Sequence, residues 1–118
     1  MNWEGFVGFY HADNLDETRK FYCDILNLEM YKDQGACHIY EVTRGSYIGF
    51  CTHFPKGDPE DNIITLLTNN VDEMYEYIKE NSDVTVQAPP ELNEKFNIYH
   101  FFIKDPNGYK VEIQKFMD

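Results

Sequence analysis

The chain has no apolar run near the roughly 20 residues needed to cross a bilayer as a helix. Positive charge is scarce: 10 Lys and Arg stand against 21 Asp and Glu, a formal net charge of −11 over 118 residues. Such a surface repels nucleic acid and anionic membrane, and it favours a neutral or cationic small molecule over a polyanion. There are only three cysteines, Cys23, Cys37 and Cys51, and none forms a C-x-x-C pair. That spacing argues against a thiolate zinc site. The odd count and the lack of a signal-like start predict a reduced, cytoplasmic protein.

Aromatic residues, by contrast, are abundant: nine Tyr and nine Phe. A chain of this length buries roughly 65% of its unfolded surface, and rings of this number can fill a core or line a pocket. One local phrase is also written twice. Asn14-Leu15-Asp16-Glu17 precedes Phe21-Tyr22, and Asn70-Val71-Asp72-Glu73 precedes Tyr77-Ile78, a common shift of 56 (70 − 14 and 77 − 21). Gly45-Ser46-Tyr47-Ile48-Gly49 is echoed by Gly108-Tyr109-Lys110-Val111-Glu112 at a shift of 63 (108 − 45). Repetition at this scale predicts two similar modules, about 1–54 and 62–118, joined by the polar, turn-rich segment 55–61.

Each module reads as βαβββ. In the first, strands are expected at 4–11, 28–33, 37–43 and 46–53. A helix starts after the N-cap Asn14, with Glu17 at the capping-box position. In the second, strands are expected at 62–68, 84–86, 97–104 and 109–116. Asn70 is expected to cap the second helix, and Val71, Met74, Tyr75 and Ile78 form its buried stripe. Residues 88–96 read as a loop, and Asp105-Pro106-Asn107-Gly108 as a tight turn. A short sheet covered by one helix leaves its second face open. Two such modules therefore predict an α+β fold, one domain over 1–118, built around a concave cleft.

These elements and motifs resemble the vicinal oxygen chelate superfamily, the glyoxalase/bleomycin-resistance/dioxygenase proteins. The resemblance is carried by Leu15-Asp16-Glu17-Thr18-Arg19-Lys20-Phe21-Tyr22, by Cys23-Asp24-Ile25-Leu26-Asn27-Leu28, and by Phe102-Ile103-Lys104-Asp105-Pro106-Asn107-Gly108-Tyr109-Lys110-Val111-Glu112-Ile113. It implies four cleft positions at which metal-dependent members carry His, Gln or Glu. In this chain they are Val7 (21 − 14), Gly49 (45 + 4), Ile63 (7 + 56) and Glu112 (108 + 4). One ligand in four does not match catalytic sites built on three protein ligands. A divalent metal is disfavoured, and no cofactor is expected.

Period-two alternation then names the lining. Val7 brings Phe9 and His11. Gly49 brings Tyr47, Cys51 and His53. Ile63 brings Thr65 and Leu67, and Glu112 brings Lys110 and Gln114. Resemblance to the glyoxalase pocket adds His100 and Phe102. His11 is either a cleft group or a solvated strand end, His53 reads as a rim residue, and His100 is either a ligand contact or a core histidine. Cys51 reads as a small core hydrophobe, and Glu112 as the best catalytic candidate. A buried Glu112 without metal should have a raised pKa unless Lys110 or a histidine pairs with it. The expected function is binding of a neutral, aromatic or cationic small molecule without metal, in the manner of a resistance-type sequestering protein. The resemblance also implies a homodimer. Two alternatives stand beside this reading. One is a glyoxalase-like lyase, isomerase or dioxygenase with a non-standard metal or acid–base site. The other is an interaction module whose cleft is filled by side chains.

Overall fold

A computed structural model describes all residues 1–118. The chain forms two compact units, Met1–Gly57 and Asp58–Asp118. No helix is long and apolar enough to cross a membrane.

Unit 1 contains β1 (Phe6–His11), α1 (Leu15–Arg19), β2 (Glu29–Asp33), β3 (Cys37–Thr43) and β4 (Ser46–Cys51). The strands form one sheet in the order β1-β4-β3-β2. Asn14 caps α1 as expected, its side-chain oxygen accepting from the Glu17 N–H at 3.0 Å. Past Arg19 the helix widens into π-type turns over Lys20–Ile25. Asn27 then ends it at φ 61°, a left-handed conformation that Asn tolerates better than most residues. The widened turn buries the adjacent Phe21 and Tyr22 together.

Tyr22 is the hub of this core. Its ring centroid lies 4.7 Å from that of Phe50 on β4 and 6.0 Å from that of Tyr40 on β3. All three residues are fully buried. Burial pushes the Tyr40 phenol well above its ordinary pKa, so it stays neutral.

Unit 2 repeats the topology with β5 (Ile63–Leu67), α2 (Val71–Asn81), β6 (Glu91–Asn93), β7 (Ile98–Lys104) and β8 (Lys110–Phe116), in the order β5-β8-β7-β6. In both units the first strand pairs parallel to the last, and the other pairings are antiparallel. The two echoed glycines share a conformation as well: φ is 84° at Gly45 and 89° at Gly108. A short 3-10 turn at Pro59–Asp61 precedes β5.

Three local expectations are corrected. Asn70 makes no side-chain cap to α2; its own N–H donates to the Thr68 hydroxyl at 3.1 Å instead. Residues 84–86 are outside any ladder despite their β-branched composition. The fourth strand of unit 2 comes from the segment expected to be loop, as β6 (Glu91–Asn93). The turn after Asn93 explains this: the Asn93 side chain accepts from the Phe96 N–H at 3.2 Å, and Asn97 adopts φ 55°. That turn folds β6 directly onto β7, with Glu91 opposite His100. A local hairpin closes at lower entropic cost than a longer-range pairing, so it overrides the propensity of Val84-Thr85-Val86.

The ring cluster of unit 1 gives a direct stability test. Phe50→Ala should cost about 3–5 kcal/mol, read as a lower urea midpoint at unchanged slope.

Candidate functional site

Strand pairing decides which side chains share a face. In unit 1, Val7, Phe9 and His11 lie beside Tyr47, Gly49 and Cys51, on the face opposite the buried Tyr22–Phe50 core. In unit 2, Ile63, Thr65 and Leu67 lie beside Lys110, Glu112 and Gln114. His100 and Phe102 lie beside Gln114 and Glu112 on the other flank of β8. The opposite face of this sheet meets α2, where Tyr75 packs edge-on against Phe101 with centroids 5.5 Å apart.

Glu112 is buried and lies at the centre of a polar cluster. His100 Nδ1 is 2.6 Å from one carboxylate oxygen. The Thr65 hydroxyl donates to the other at 2.7 Å. The Gln114 amide, with its nitrogen toward the carboxylate, donates to both oxygens at 3.1 and 2.9 Å. Three side chains from β5, β7 and β8 thus converge on one carboxylate. A carboxylate only accepts, so the facing Nδ1 carries the proton, and Nε2 is the acceptor of the neutral imidazole. The Phe102 ring packs against His100 with centroids 5.1 Å apart.

Phe102 also lines a pocket of about 310 Å³ with Ile63, Thr85, Gln87, Lys104 and Lys110. This volume is at the small end of ordinary ligand sites. The two lysines share one partner: Glu60 lies 2.8 Å from Lys104 and 3.3 Å from Lys110. Hydrogen bonding to Lys104, then to Lys110, holds the Glu60 carboxyl below its ordinary pKa. The pocket wall thus carries two lysines and, beside them, the one carboxylate they share.

Unit 1 treats the equivalent positions differently. Phe9 is the counterpart of Thr65 (9 + 56) and pairs with Gly49. A Cβ on Gly49 would come within 2.4 Å of the Phe9 ring. The ring occupies the space that a side chain at position 49 would need. His11 is committed elsewhere: Nδ1 is 2.8 Å from the Phe54 carbonyl and Nε2 is 2.9 Å from Asp13. Hydrogen bonding to His11, then to Lys56, holds the Asp13 carboxyl low. His11 and His53 turn to different partners, since His53 Nδ1 is 3.8 Å from Cys37 Sγ.

The cysteines differ from expectation. Cys51 is not a free core hydrophobe but is bonded to Cys37 in a disulfide, and only Cys23 remains a thiol. The sequence carried a signal for this. Cys37 and Cys51 flank the Arg44-Gly45 turn almost symmetrically, which brings them opposite each other on β3 and β4. Counting spacing along the chain alone conceals that pairing.

At the four positions where the superfamily's metal-dependent members carry ligands, Val7, Gly49 and Ile63 offer no donor atom, and Glu112 is engaged by three protein donors. This residue set does not fit a bound metal.

Two βαβββ units with parallel first-to-last pairing define a class of duplicated α+β proteins. A family model described as the Glyoxalase/Bleomycin resistance protein/Dioxygenase superfamily matches residues 9–113, and the chain belongs to that superfamily. Comparison with curated proteins returns no match. Among solved structures, the chain is similar to an integron cassette protein from the mobile metagenome of the Halifax Harbour sewage outfall. The TM-score is 0.78 at 17% identity, over 94% of this chain and 97% of that one. It is also similar to a lactoylglutathione lyase from Agrobacterium tumefaciens, with TM-score 0.75 at 19% identity over 92% and 90% of the two chains. A glyoxalase/bleomycin resistance protein/dioxygenase from Alicyclobacillus acidocaldarius gives TM-score 0.76 at 15% identity over 97% and 92%. At these identities the likeness concerns the fold.

Two outcomes follow from the packing at these positions. Glu112→Ala leaves the buried donors of His100, Thr65 and Gln114 facing a void and should cost roughly 1–3 kcal/mol. A denaturation cycle with His100→Ala should be non-additive by at least about 0.5 kcal/mol. Gly49→Ala should cost about 1–3 kcal/mol through overpacking against Phe9, and Phe9→Ala in the same chain should recover most of that loss.

Proposed function

We propose that the protein binds a small, flat, largely apolar molecule without the aid of a metal, as a sequestering member of the superfamily. One observation carries this reading. The only carboxylate among the four ligand positions already has both oxygens engaged by His100, Thr65 and Gln114. Drawing Glu112 onto a metal would strip three buried donors of their acceptor, a cost of roughly 1–3 kcal/mol for each.

The pocket beside Phe102 supports an apolar occupant. Ile63 and the Phe102 ring provide contact area, and Thr85 and Gln87 provide hydrogen-bonding groups. Lys104 and Lys110 favour a ligand that is neutral or carries an acceptor group there, so the cationic option suggested by the overall charge is dropped at this pocket. Exposed apolar side chains on each unit, at Phe6 and Phe9 on β1 and at Ile63 and Leu67 on β5, support a homodimer that covers some of them. A cytoplasmic setting belongs to this reading, although the Cys37–Cys51 disulfide runs against the reduced state expected there.

A second reading is favoured by the 2.6 Å contact between His100 and Glu112. A carboxylate that orients an imidazole is the arrangement of a general base, and a lyase or isomerase could use His100 Nε2 in that role.

One experiment separates the two. Purified protein, treated with a chelator, is screened by thermal shift and calorimetry against small aromatic acids, amides and phenols. Binding that survives the chelator and falls at least tenfold in Phe102→Ala is expected. If no compound raises the melting temperature by mass action, the binding reading fails. Turnover of a dicarbonyl–thiol adduct by wild type, lost in Glu112→Gln, would replace it with the lyase.

A further inference from the structure

We propose that Cys37, Cys51 and His53 form a thiol-dependent zinc site, open to the metal when the two cysteines are reduced and closed when they are joined. The argument starts from strand register. Cys37 on β3 and Cys51 on β4 are direct cross-strand partners. His53 follows Cys51 by two residues and returns to the same side of the chain. One ligand atom from each of the three lies within 4.8 Å of the other two, and His53 Nδ1 is 3.8 Å from Cys37 Sγ. Tetrahedral zinc has Zn–S near 2.3 Å and Zn–N near 2.0 Å, which sets ligand atoms about 3.5–3.8 Å apart. The His53–Cys37 separation already has that value. Reduction frees the two sulfurs to part to a similar distance.

The surroundings suit a metal rather than a simple cross-link. A disulfide needs no imidazole beside it, yet His53 lies beside the sulfur and packs edge-on against Phe54, with centroids 5.1 Å apart. Phe54 in turn packs on Phe9, at 5.8 Å. An apolar wall of this kind limits water at the thiolates. Both cysteines are buried whereas His53 is exposed, so the ion would be reached from the side of His53. Two thiolates and one imidazole form a soft-to-borderline donor set that selects zinc over calcium or magnesium.

The exchange balances with a small-molecule disulfide as the oxidant. In the loaded form, Cys37 and Cys51 are thiolates, and zinc binding has released their two protons. One thiolate attacks the small disulfide, its S–S bond breaks, and a mixed disulfide forms. The second thiolate then displaces the remaining small thiol and closes the Cys37–Cys51 bond. Two electrons have passed to the small disulfide, which leaves as two thiols carrying two protons taken from water, and zinc is released.

The test uses the full chain with Cys23→Ser as background, because burial pushes the Cys23 thiol up and its removal leaves one pair of thiols to follow. Protein reduced with a phosphine, then freed of reductant under argon, should take up roughly one zinc per chain on equilibrium dialysis. Cobalt in its place should give a thiolate charge-transfer band. Protein oxidised with glutathione disulfide should bind at least tenfold more weakly. His53→Ala, a change at an exposed position, should weaken zinc roughly tenfold or more while leaving the disulfide able to form. Cys51→Ser should remove part of the charge-transfer intensity. The proposal is overturned if reduced protein takes up no zinc, if oxidised and reduced protein bind it equally, or if His53→Ala binds as tightly as its parent.

Discussion

The register between β5 and β8 governs the polar cluster of unit 2. Thr65 meets Glu112 only because Ile63 pairs with Lys110 and the two strands run parallel from there. A slip of one residue would turn every side chain to the other face, placing Val111 among the donors and Glu112 against the buried face of the sheet. The turn ahead of β8 helps to hold that register. The buried Asp105 carboxylate accepts from the N–H groups of Asn107 and Tyr109, each at 2.9 Å. The Asp105 N–H donates to the Tyr109 carbonyl at 3.0 Å, and the Gly108 N–H donates back to Asp105 at 3.0 Å. A short polar turn thereby fixes the phase of β8.

The duplicated scaffold fills its equivalent positions in two different ways. In unit 2 the pair across the parallel strands is Thr65 and Glu112, joined by a hydrogen bond. In unit 1 the pair is Phe9 and Gly49, joined by the lack of a side chain at one position and a ring at the other. The backbone pairing is the same, so the difference lies in the residues alone. The polar solution directs an imidazole and leaves chemistry available. The apolar solution presents aromatic surface and places its reactive groups further along the strand, where Cys37, Cys51 and His53 gather. The duplication has preserved topology and placed different residues at equivalent positions of its two copies.

Much of this was legible in the residues. Asn14 and Glu17 marked the start of α1, and Asp105 to Gly108 marked the last turn. The alternation on β4, β5 and β8 put Thr65 beside Glu112 and Gly49 beside Phe9, as the strand pairing has them, because period two is a property of any strand. The misreadings came from competing partners that residue type alone does not name. Asn70 has the right residue type for a cap, but the Thr68 hydroxyl nearby offered its N–H another acceptor. Val84-Thr85-Val86 has strand composition, but the hairpin closed by Asn93 and Asn97 reached β7 first. Cys51 looked like a small apolar residue until β3 placed Cys37 opposite it.

The sequence by itself determined the duplicated βαβββ plan, the superfamily, and the replacement of three ligand positions by Val7, Gly49 and Ile63. The plan follows from residue type and periodicity, which are local, and the superfamily and its ligand positions from the resemblance that the motifs carry. Only the tertiary structure decided that His100, Thr65 and Gln114 converge on Glu112, that His11 is held by Asp13 and Phe54, and that two cysteines meet beside His53. Each of these depends on which strand lies next to which and in what register. That is settled by the packing of the whole unit, not by any one segment.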